Sequence, residues 1–313
     1  MFKSKPSLVI LAAGMASRYG GNKQIESFGP SGETIMEYSI YDAIKAGYGK
    51  VIFIIREEFS DSFKAAIEPK LKGKIELEYV YQSLDKYSGG RAIPQARVKP
   101  FGTQHALLCC KDVLDAPFSV INADDFYGFD AFKQSFDFLS NGIEDGKYAC
   151  VGYELKNTLS DNGSVTRGEI NVNADGNIIG ITERKEIYKK DGKAFTKIAG
   201  ADLELALDTK VSMNFFCFTP AFVNWSELEY YKFLDANLDD LKAEFLIPEV
   251  TDTLINSGKG AVKVIPTEAR WFGVTFKEDA PIVKAQLQKL SDQGVYPANL
   301  WEREVLSVVD QGA

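Results

Sequence analysis

Along the first 125 residues, stretches with the apolar pattern of strands alternate with stretches that have the apolar pattern of helices. Some stretches are continuously apolar or alternate every second residue, which is typical of strands, whereas the stretches between them have the spacing of helices. In the second predicted element, Met36, Ile40 and Ile44 fall on one helical face, and Gly47 suits the C-terminal end. The predicted strands span residues 7–13, 50–56, 75–82 and 118–125, and the predicted helices span 33–47, 57–71 and 102–117.

This order of elements predicts the fold class. Strands that alternate with helices form βαβ units, so we expect an α/β fold with a Rossmann-like, mostly parallel sheet flanked by helices. In such sheets, ligands bind at the carboxyl ends of the strands. Gly14 ends the first strand and Asp124 lies at the end of the fourth. We therefore expect them to face the same crevice, although they are far apart in sequence.

The pattern changes between about residues 141 and 218. Short strand-like runs are separated there by Asn-Gly and Asp-Gly pairs, which are typical of hairpins. We expect an antiparallel extension of the same domain. Further helices are predicted at 220–235, at 238–257 and from about 280, and a strand at 260–267. The predicted division is one domain at 1–285, with halves at about 1–140 and 141–285, and a helical tail at 286–313.

Composition narrows the possible functions. The chain has 313 residues, of which 45% are hydrophobic, so it can bury a substantial core. Its formal charge of −8, without blocks of like charge, argues against a nucleic-acid backbone as the main partner. No apolar stretch is long enough to predict a membrane span. The four cysteines have no metal-binding or redox spacing and suit a reducing compartment, so we expect a cytoplasmic location.

The segment LAAGMASRYGGNK at 11–23 has the composition of a phosphate-binding loop. Two common loops do not match it. Tyr19 replaces a glycine that both G-x-x-x-x-G-K-[ST] and G-x-G-x-x-G require, and Ala16 replaces the central glycine of the second. What remains is a strand, a turn of small residues and two cations, Arg18 and Lys23. Main-chain N–H groups in such a turn bind phosphate oxygens, and the alternative is a glycine-rich turn with solvated basic residues.

This loop resembles the signature loop L-A-A-G-x-G-x-R of the sugar-phosphate nucleotidyltransferases. Further segments match that family in order, so the resemblance covers roughly residues 7–285. The matching segments are YVYQS (79–83), GTQHALL (102–108), NADDFYG (122–128), GSVTRGEI (163–170), ITERK (181–185), VSMNFFCF (211–218) and RWFGVTFKED (270–279).

The resemblance implies transfer of a nucleotidyl group from a nucleoside triphosphate to a sugar 1-phosphate, with release of pyrophosphate. These two compounds are the expected partners, and a homo-oligomer stays open. Catalysis would consist mainly of positioning and charge neutralisation, with Mg²⁺ as the expected cofactor. No nucleophilic side chain is required, which agrees with a chain that has a single histidine. The first half of the domain would bind the nucleotide, and the antiparallel extension would bind the sugar.

The resemblance also implies a role for individual residues. Arg18 would contact the leaving pyrophosphate, Lys23 the reacting phosphates, and Asp124 the Mg²⁺ ion. The nucleotide-binding residues would be Leu11, Ala13, Gly14, Met15, Gln82, Gly102 and Thr103, with Gln82 and the turn at 102–103 at the base. The sugar-phosphate-binding residues would be Asn122, Gly163, Glu183, Lys185 and Asn214. As structural alternatives, Asp124 could belong to a turn, and Glu183 and Lys185 to a solvated strand end.

One departure from the family pattern bears on function. Many members have a second Mg²⁺-binding aspartate two residues after the tryptophan, but here Gly273 follows Trp271 at that spacing. The W-F-G-V-T form resembles a distinct branch of the family. Two other functions therefore stay open: nucleotidyl transfer to a non-sugar phosphorylated alcohol, and a non-catalytic nucleotide or sugar-phosphate sensor. Retention of Arg18, Lys23 and Asp124 argues against the sensor, since mere binding needs no metal carboxylate.

Overall fold

The structure is a computed structural model that describes residues 4–14, 27–160, 163–198, 200–274 and 279–302. The strands are β1 (Ser7–Leu11), β2 (Lys50–Ile55), β3 (Glu76–Tyr81), β4 (Phe118–Asn122), β5 (Asp125–Phe126), β6 (Lys147–Glu154), β7 (Val165–Val172), β8 (Ile178–Lys190), β9 (Lys193–Ile198), β10 (Ala201–Leu205), β11 (Lys210–Phe218), β12 (Ala261–Thr267) and β13 (Phe272–Gly273). The helices are α1 (Ile35–Ala46), α2 (Ser60–Leu71), α3 (Thr103–Leu108), α4 (Phe129–Asn141), α5 (Pro220–Asn237), α6 (Ile247–Asn256) and α7 (Ala280–Asp292).

A single large sheet organises the chain. Its strands follow the order β3-β2-β1-β4-β11-β7-β8-β9-β10, and β6 joins β11 to β12. The strands β3, β2, β1 and β4 are parallel, whereas β11, β7, β8, β9 and β10 pair antiparallel. The predicted α/β fold, with a parallel centre and an antiparallel extension, is confirmed.

Helices cover both faces of the parallel strands. Along β1, Leu8 and Ile10 point to a core formed with α1, α2 and α4, whereas Val9 points to a core formed with α3, α5 and α6. This explains why β1 is continuously apolar, since both of its faces are buried. A third cluster joins α1 to α7 through residues such as Tyr38 and Leu287. None of the described helices is long and apolar enough to cross a membrane.

Two helices are shorter than their sequence pattern predicts. α3 ends at Leu108, because the next N–H groups bond to carbonyls three residues earlier and tighten the chain into turns. α6 begins at Ile247 rather than at residue 238, and Pro248 in its first turn suits a helix start. The run predicted as one strand at 118–125 is divided into β4 and β5. The division into halves and a tail stays a prediction.

Candidate active site

The carboxyl ends of β1 and β4 lie side by side at the centre of the sheet. Leu11 pairs with Asn122, and the N–H of Ala123 lies 3.4 Å from the carbonyl oxygen of Leu11. Gly14 and Asp124 thus follow neighbouring strand ends, Gly14 exposed and Asp124 half-buried. Ala13, which lies in the turn between the end of β1 and Gly14, is buried. Of the predicted phosphate-binding residues, Met15, Arg18 and Lys23 lie outside the described residues.

Asp125, the second residue of the acidic pair at the end of β4, is buried and held in place. Its Oδ2 atom accepts hydrogen bonds from Asn122 Nδ2 at 2.9 Å and from the hydroxyl group of Tyr127 at 3.2 Å. Burial, and secondarily the charge of Asp124, raise the pKa of Asp125 to about 7. The acidic pair therefore consists of one half-buried carboxylate and one that is buried and less readily ionised.

Tyr127 links the end of β4 to β11. Its buried hydroxyl group accepts a hydrogen bond from the N–H of Asn122 at 3.1 Å, and it also lies 3.1 Å from the carbonyl oxygen of Met213. One phenolic oxygen thus contacts both strands as well as Asp125. Sequence reasoning missed this residue. The available signal was a hydroxyl-bearing aromatic two residues after the acidic pair.

A bulge in β11 brings Asn214 to the same region. Ser212 pairs with Gly152 and Phe216 with Cys150, so β11 contains two extra residues between these pairs. Asn214 has a φ of 60° in the bulge, a conformation that asparagine tolerates better than most residues. Since Phe216 also pairs with Val120 of β4, Asn214 lies beside the carboxyl end of that strand.

The space next to Gly273 is filled by Asp125. The two residues face each other across the short antiparallel pair of β5 and β13, and Phe272 stacks on Phe126 with ring centroids 4.3 Å apart. A Cβ atom on Gly273 would lie 2.5 Å from Asp125 Oδ1 and 3.1 Å from the ring of Trp271. No side chain fits at this position while Asp125 keeps its place. The carboxylate of Asp125, on the paired strand, therefore occupies the space that a side chain at position 273 would need.

Arg167 packs against Trp271, whose ring lies beside Gly273. Its guanidinium carbon is 4.6 Å from the ring centroid of Trp271, and its Nη1 atom donates to the carbonyl oxygen of Thr166 at 2.8 Å. Burial lowers the pKa of Arg167 to about 10, and Asp125 opposes this change. Even so, this side chain carries a full positive charge near the acidic pair at neutral pH.

A second group of predicted residues lies at the end of β3. Gln82 Nε2 donates to the carbonyl oxygen of Gly102 at 3.2 Å. Gly102 has a φ of 99°, and a Cβ atom there would lie 2.7 Å from the carbonyl oxygen of Phe245, so only glycine suits this turn. Thr103 Oγ1 accepts a hydrogen bond from the N–H of Ile247 at 3.1 Å and thus caps α6. Contacts with Phe245 and Ile247 therefore hold the turn at 102–103 in place.

His105 extends this group into the core. The side chain is fully buried, and its ring stacks on Tyr230 with centroids 4.8 Å apart. His105 Nδ1 lies 3.2 Å from Gln82 Nε2, and His105 Nε2 lies 3.0 Å from the carbonyl oxygen of Lys86. Burial lowers the pKa of His105 to about 4, so the ring is neutral at physiological pH.

The remaining predicted residues lie on the antiparallel extension. Glu183 and Lys185 form an ion pair at 3.6 Å, with 63% and 74% of their side chains exposed. Glu183 pairs with Gly168, which in turn pairs with Ser212, so it lies at the level of the β11 bulge but two strands away. Gly163 lies in an exposed bend just before β7, and none of the described residues comes within 4 Å of a Cβ atom placed there. The structure thus brings Glu183 and Lys185 together, away from the ends of β1 and β4.

The fold and these residues can be compared with known proteins. The sequence profile of the family described as nucleotidyl transferase matches residues 8–274. This chain belongs to that nucleotidyl transferase family. The predicted family is confirmed, whereas a separate branch with the W-F-G-V-T form stays a prediction. Among curated proteins, none matches the chain by sequence.

Solved structures with a similar fold match most of the chain. The inositol-1-phosphate CTP transferase from T. maritima is 14% identical with a TM-score of 0.62, over 93% of this chain and 98% of that one. A putative glucose-1-phosphate thymidylyltransferase from Bacillus anthracis, solved in complex with a sucrose, is 13% identical with a TM-score of 0.60, over 90% and 95%. At these identities the likeness shows the fold alone.

The donors at the end of β4 suit a magnesium ion. Mg²⁺ prefers oxygen ligands and commonly takes one or two carboxylates together with water and substrate phosphates. Asp124, half-buried at the end of β4, provides one such carboxylate. Among the described residues, no group of three or more His, Cys, Asp or Glu side chains could hold a metal. An ion bound here would therefore complete its shell with water or with oxygens from a ligand.

Proposed function

We propose that this nucleotidyl transferase couples a nucleoside triphosphate to a sugar 1-phosphate and releases pyrophosphate. The observation that carries the proposal is the pairing of Leu11 with Asn122. It sets the turn that begins the phosphate-binding motif beside the acidic pair that follows β4. A nucleotide phosphate and a metal carboxylate must lie this close for transfer at the α-phosphorus.

In this proposal, the chain acts by positioning and by neutralising charge. Main-chain N–H groups from Gly14 onward bind the triphosphate, Lys23 binds the reacting phosphates, and Arg18 stabilises the leaving pyrophosphate. Asp124 would hold Mg²⁺, and the bound ion would neutralise phosphate charge. Asn214, Glu183 and Lys185 bind the acceptor. Two anionic reactants can then approach in line without a nucleophilic side chain.

A phosphorylated alcohol that is not a sugar is the second candidate acceptor. One of the two similar structures is an inositol-1-phosphate CTP transferase, whereas the other is a putative glucose-1-phosphate thymidylyltransferase. Both names specify a 1-phosphate as acceptor. We favour the sugar because the sequence segments that contain Asn214 and Glu183 match those of the sugar-phosphate enzymes.

The cytoplasm is the proposed location. All four cysteines are buried free thiols, which suits a reducing compartment. A homo-oligomer stays a prediction.

The test is pyrophosphate release from each nucleoside triphosphate in the presence of Mg²⁺, with a panel of sugar 1-phosphates and inositol 1-phosphate as acceptors. Release should require both an acceptor and Mg²⁺, and chelation by EDTA should abolish it. The Asp124→Asn variant should lose most of the activity while its circular dichroism spectrum is unchanged. Asp175→Asn, which changes an exposed carboxylate in a distant turn, serves as the matched control.

The alternatives give different results. Release with inositol 1-phosphate but with no sugar 1-phosphate would replace the sugar acceptor by the second candidate. Nucleotide binding without release for any pair would support the non-catalytic sensor. Equal activity of Asp124→Asn and wild type would remove Asp124 from the proposed metal site.

A further inference from the structure

We propose that His105 is a positioning residue that locks the side-chain amide of Gln82, so that Gln82 offers the nucleotide base only a hydrogen-bond acceptor. Among the pyrimidines, the base should then be uracil or thymine, whose N3–H group is a donor at the edge that Gln82 meets. This inference deepens the proposed function and rests on it, because it assumes that the base lies at Gln82.

The orientation of the amide follows from its two neighbours. The carbonyl oxygen of Gly102 can only accept a hydrogen bond, so the Gln82 atom 3.2 Å away must be the nitrogen. The same nitrogen lies 3.2 Å from His105 Nδ1. With these two bonds, both N–H groups of the amide are used. Oε1 is the polar atom of Gln82 that neither bond involves.

His105 itself can take only one protonation state here. Its Nε2 atom lies 3.0 Å from the carbonyl oxygen of Lys86, which requires the ring proton on Nε2. The buried ring is neutral, so Nδ1 carries a lone pair and accepts from Gln82. A flipped amide would bring Oε1 against both this lone pair and the carbonyl oxygen of Gly102. Repulsion at both of these atoms therefore disfavours the flipped amide.

The position of Gln82 suits contact with a base. It follows β3, whereas Gly14 follows β1, and β2 lies between these two strands. Two strand spacings amount to about 10 Å, which the ribose and α-phosphate of a nucleotide can span. Gln82 is also half-buried rather than fully buried. The amide is therefore fixed on its core side and can still reach a ligand on its open side.

An acceptor at this point discriminates between pyrimidines. Uracil and thymine place N3–H against Oε1, whereas cytosine has a lone pair on N3 and would face repulsion in the same pose. Losing one such hydrogen bond and facing an unpaired acceptor changes affinity by about tenfold or more. A methyl group on N3 removes the donor and adds bulk, so 3-methyluridine triphosphate is a direct probe of this contact.

The test measures binding by calorimetry, which does not depend on turnover. Wild-type protein with Mg²⁺ should bind UTP or TTP at least about tenfold more tightly than CTP, and 3-methyluridine triphosphate more weakly still. In His105→Phe, which keeps an aromatic ring against Tyr230 but removes the acceptor, the ratio of UTP to CTP affinity should fall toward one. His105→Asn can retain an acceptor near the Nδ1 position and should restore part of the ratio.

The outcomes separate a positioning role from a structural one. A ratio of affinities measured on one preparation does not depend on the fraction that is folded, so general destabilisation would leave it unchanged. Tighter binding of CTP than of UTP and TTP by the wild type would overturn the inference, as would an unchanged ratio in folded His105→Phe. If the variants do not fold, the wild-type comparison still tests the acceptor at Gln82, and binding of 3-methyluridine triphosphate as tight as that of UTP would overturn the inference. Selective UTP binding that is lost in His105→Phe, without pyrophosphate release by the wild type, would contradict the proposed function but support the role of His105.

Discussion

The hydroxyl group of Tyr127 is a single atom on which two strand ends depend. It contacts the N–H of Asn122, the carboxylate of Asp125 and the carbonyl oxygen of Met213. Tyr127→Phe leaves these buried groups without that partner, so the free energy of unfolding should fall by about 1 to 3 kcal/mol. Urea denaturation measures this change. Turnover should fall as well, since the end of β4 loses its link to the β11 bulge.

Tyr153→Phe is the matched control for Tyr127→Phe. Its buried hydroxyl group donates to the carbonyl oxygen of Tyr127 at 2.9 Å and does not bridge the two strand ends as that of Tyr127 does, so its removal should cost stability without a comparable loss of turnover. Equal losses of turnover in both variants would contradict a specific role for the Tyr127 hydroxyl group.

At Gly273, the prediction concerns space rather than hydrogen bonding. Gly273→Ala would place a Cβ atom 2.5 Å from Asp125 Oδ1 and force the carboxylate to move. Small displacements in an active site cost rate steeply, so pyrophosphate release should fall by about tenfold to a hundredfold. Gly180→Ala is the control, because in the described parts of the chain no atom lies within 4 Å of a Cβ atom there. Full activity of Gly273→Ala would show that the position of Asp125 does not matter.

Sequence alone marks Gly273 as unusual but cannot explain it. The reason lies in the pairing of β5 with β13, two segments far apart in the chain. The left-handed φ of Asn214 is similar, since it depends on the register of β11 against β6. Residue identities that follow from motif spacing, such as Asp124 at a strand end, could be predicted. Contacts between distant strands could not.

Among the elements, the segment before α6 is held by one buried side chain. The guanidinium group of Arg97 donates to four backbone carbonyls, in the segments 99–100 and 240–243, at 2.6 to 3.4 Å. Its carbon lies 3.7 Å from the ring centroid of Phe101. Lysine has no planar fork, so Arg97→Lys should lose most of these bonds and about 2 kcal/mol or more of unfolding free energy.

The variant should also affect the proposed base site. The held segments flank Phe245, whose N–H bonds to the carbonyl oxygen of Phe101, and Phe245 packs behind Gly102. We expect a raised KM for the nucleotide and a smaller change in kcat. Lys99→Ala breaks a half-exposed ion pair with Glu244 in the same region and should change stability by less than about 1 kcal/mol. If Arg97→Lys behaved like Lys99→Ala, Arg97 would have no special role.

Elements differ in how far local pattern determines them. The strands β1 and β2 and the helix α1 agree with prediction, because burial on both faces of these strands and the Gly47 cap are readable from neighbouring residues. The segment at 238–246 has helical spacing but is fixed in another shape by Arg97, a residue from another part of the chain. The order of strands across the extension likewise depends on long-range pairing.

At the scale of the whole molecule, buried carboxyl groups join the C-terminal segment to α1. Tyr296 donates to Asp42 Oδ2 at 2.7 Å, and Trp301 Nε1 donates to Glu37 Oε1 at 2.6 Å. Asp42 Oδ1 is buried without a hydrogen-bond partner among the described residues. Burial raises the pKa of Asp42 to about 8, although Tyr296 and then Lys45 oppose this change. We therefore expect the free energy of unfolding to depend on pH through Asp42.

The sign of this dependence follows from which state binds the proton. Between about pH 4 and pH 8, folded protein keeps the Asp42 proton while unfolded protein releases it. Burial of Asp42 therefore does not lower the free energy of unfolding below about pH 4. Between about pH 4 and pH 8, the free energy of unfolding falls by up to about 1.4 kcal/mol for each unit by which the pH rises. His105 acts in the opposite direction, because its lowered pKa favours unfolding as the pH falls below about 6.5.

Asp42→Asn isolates the contribution of Asp42. The amide keeps an oxygen that can accept from Tyr296 and has no proton to lose, so the stability of the variant relative to wild type should rise steadily from pH 4 to pH 8. Urea denaturation at several pH values measures this difference, in which the unchanged contribution of His105 cancels. Asp175→Asn, at an exposed turn, should show no such trend. A difference between Asp42→Asn and wild type that stays constant with pH would mean that the buried carboxyl group is ionised in the folded protein.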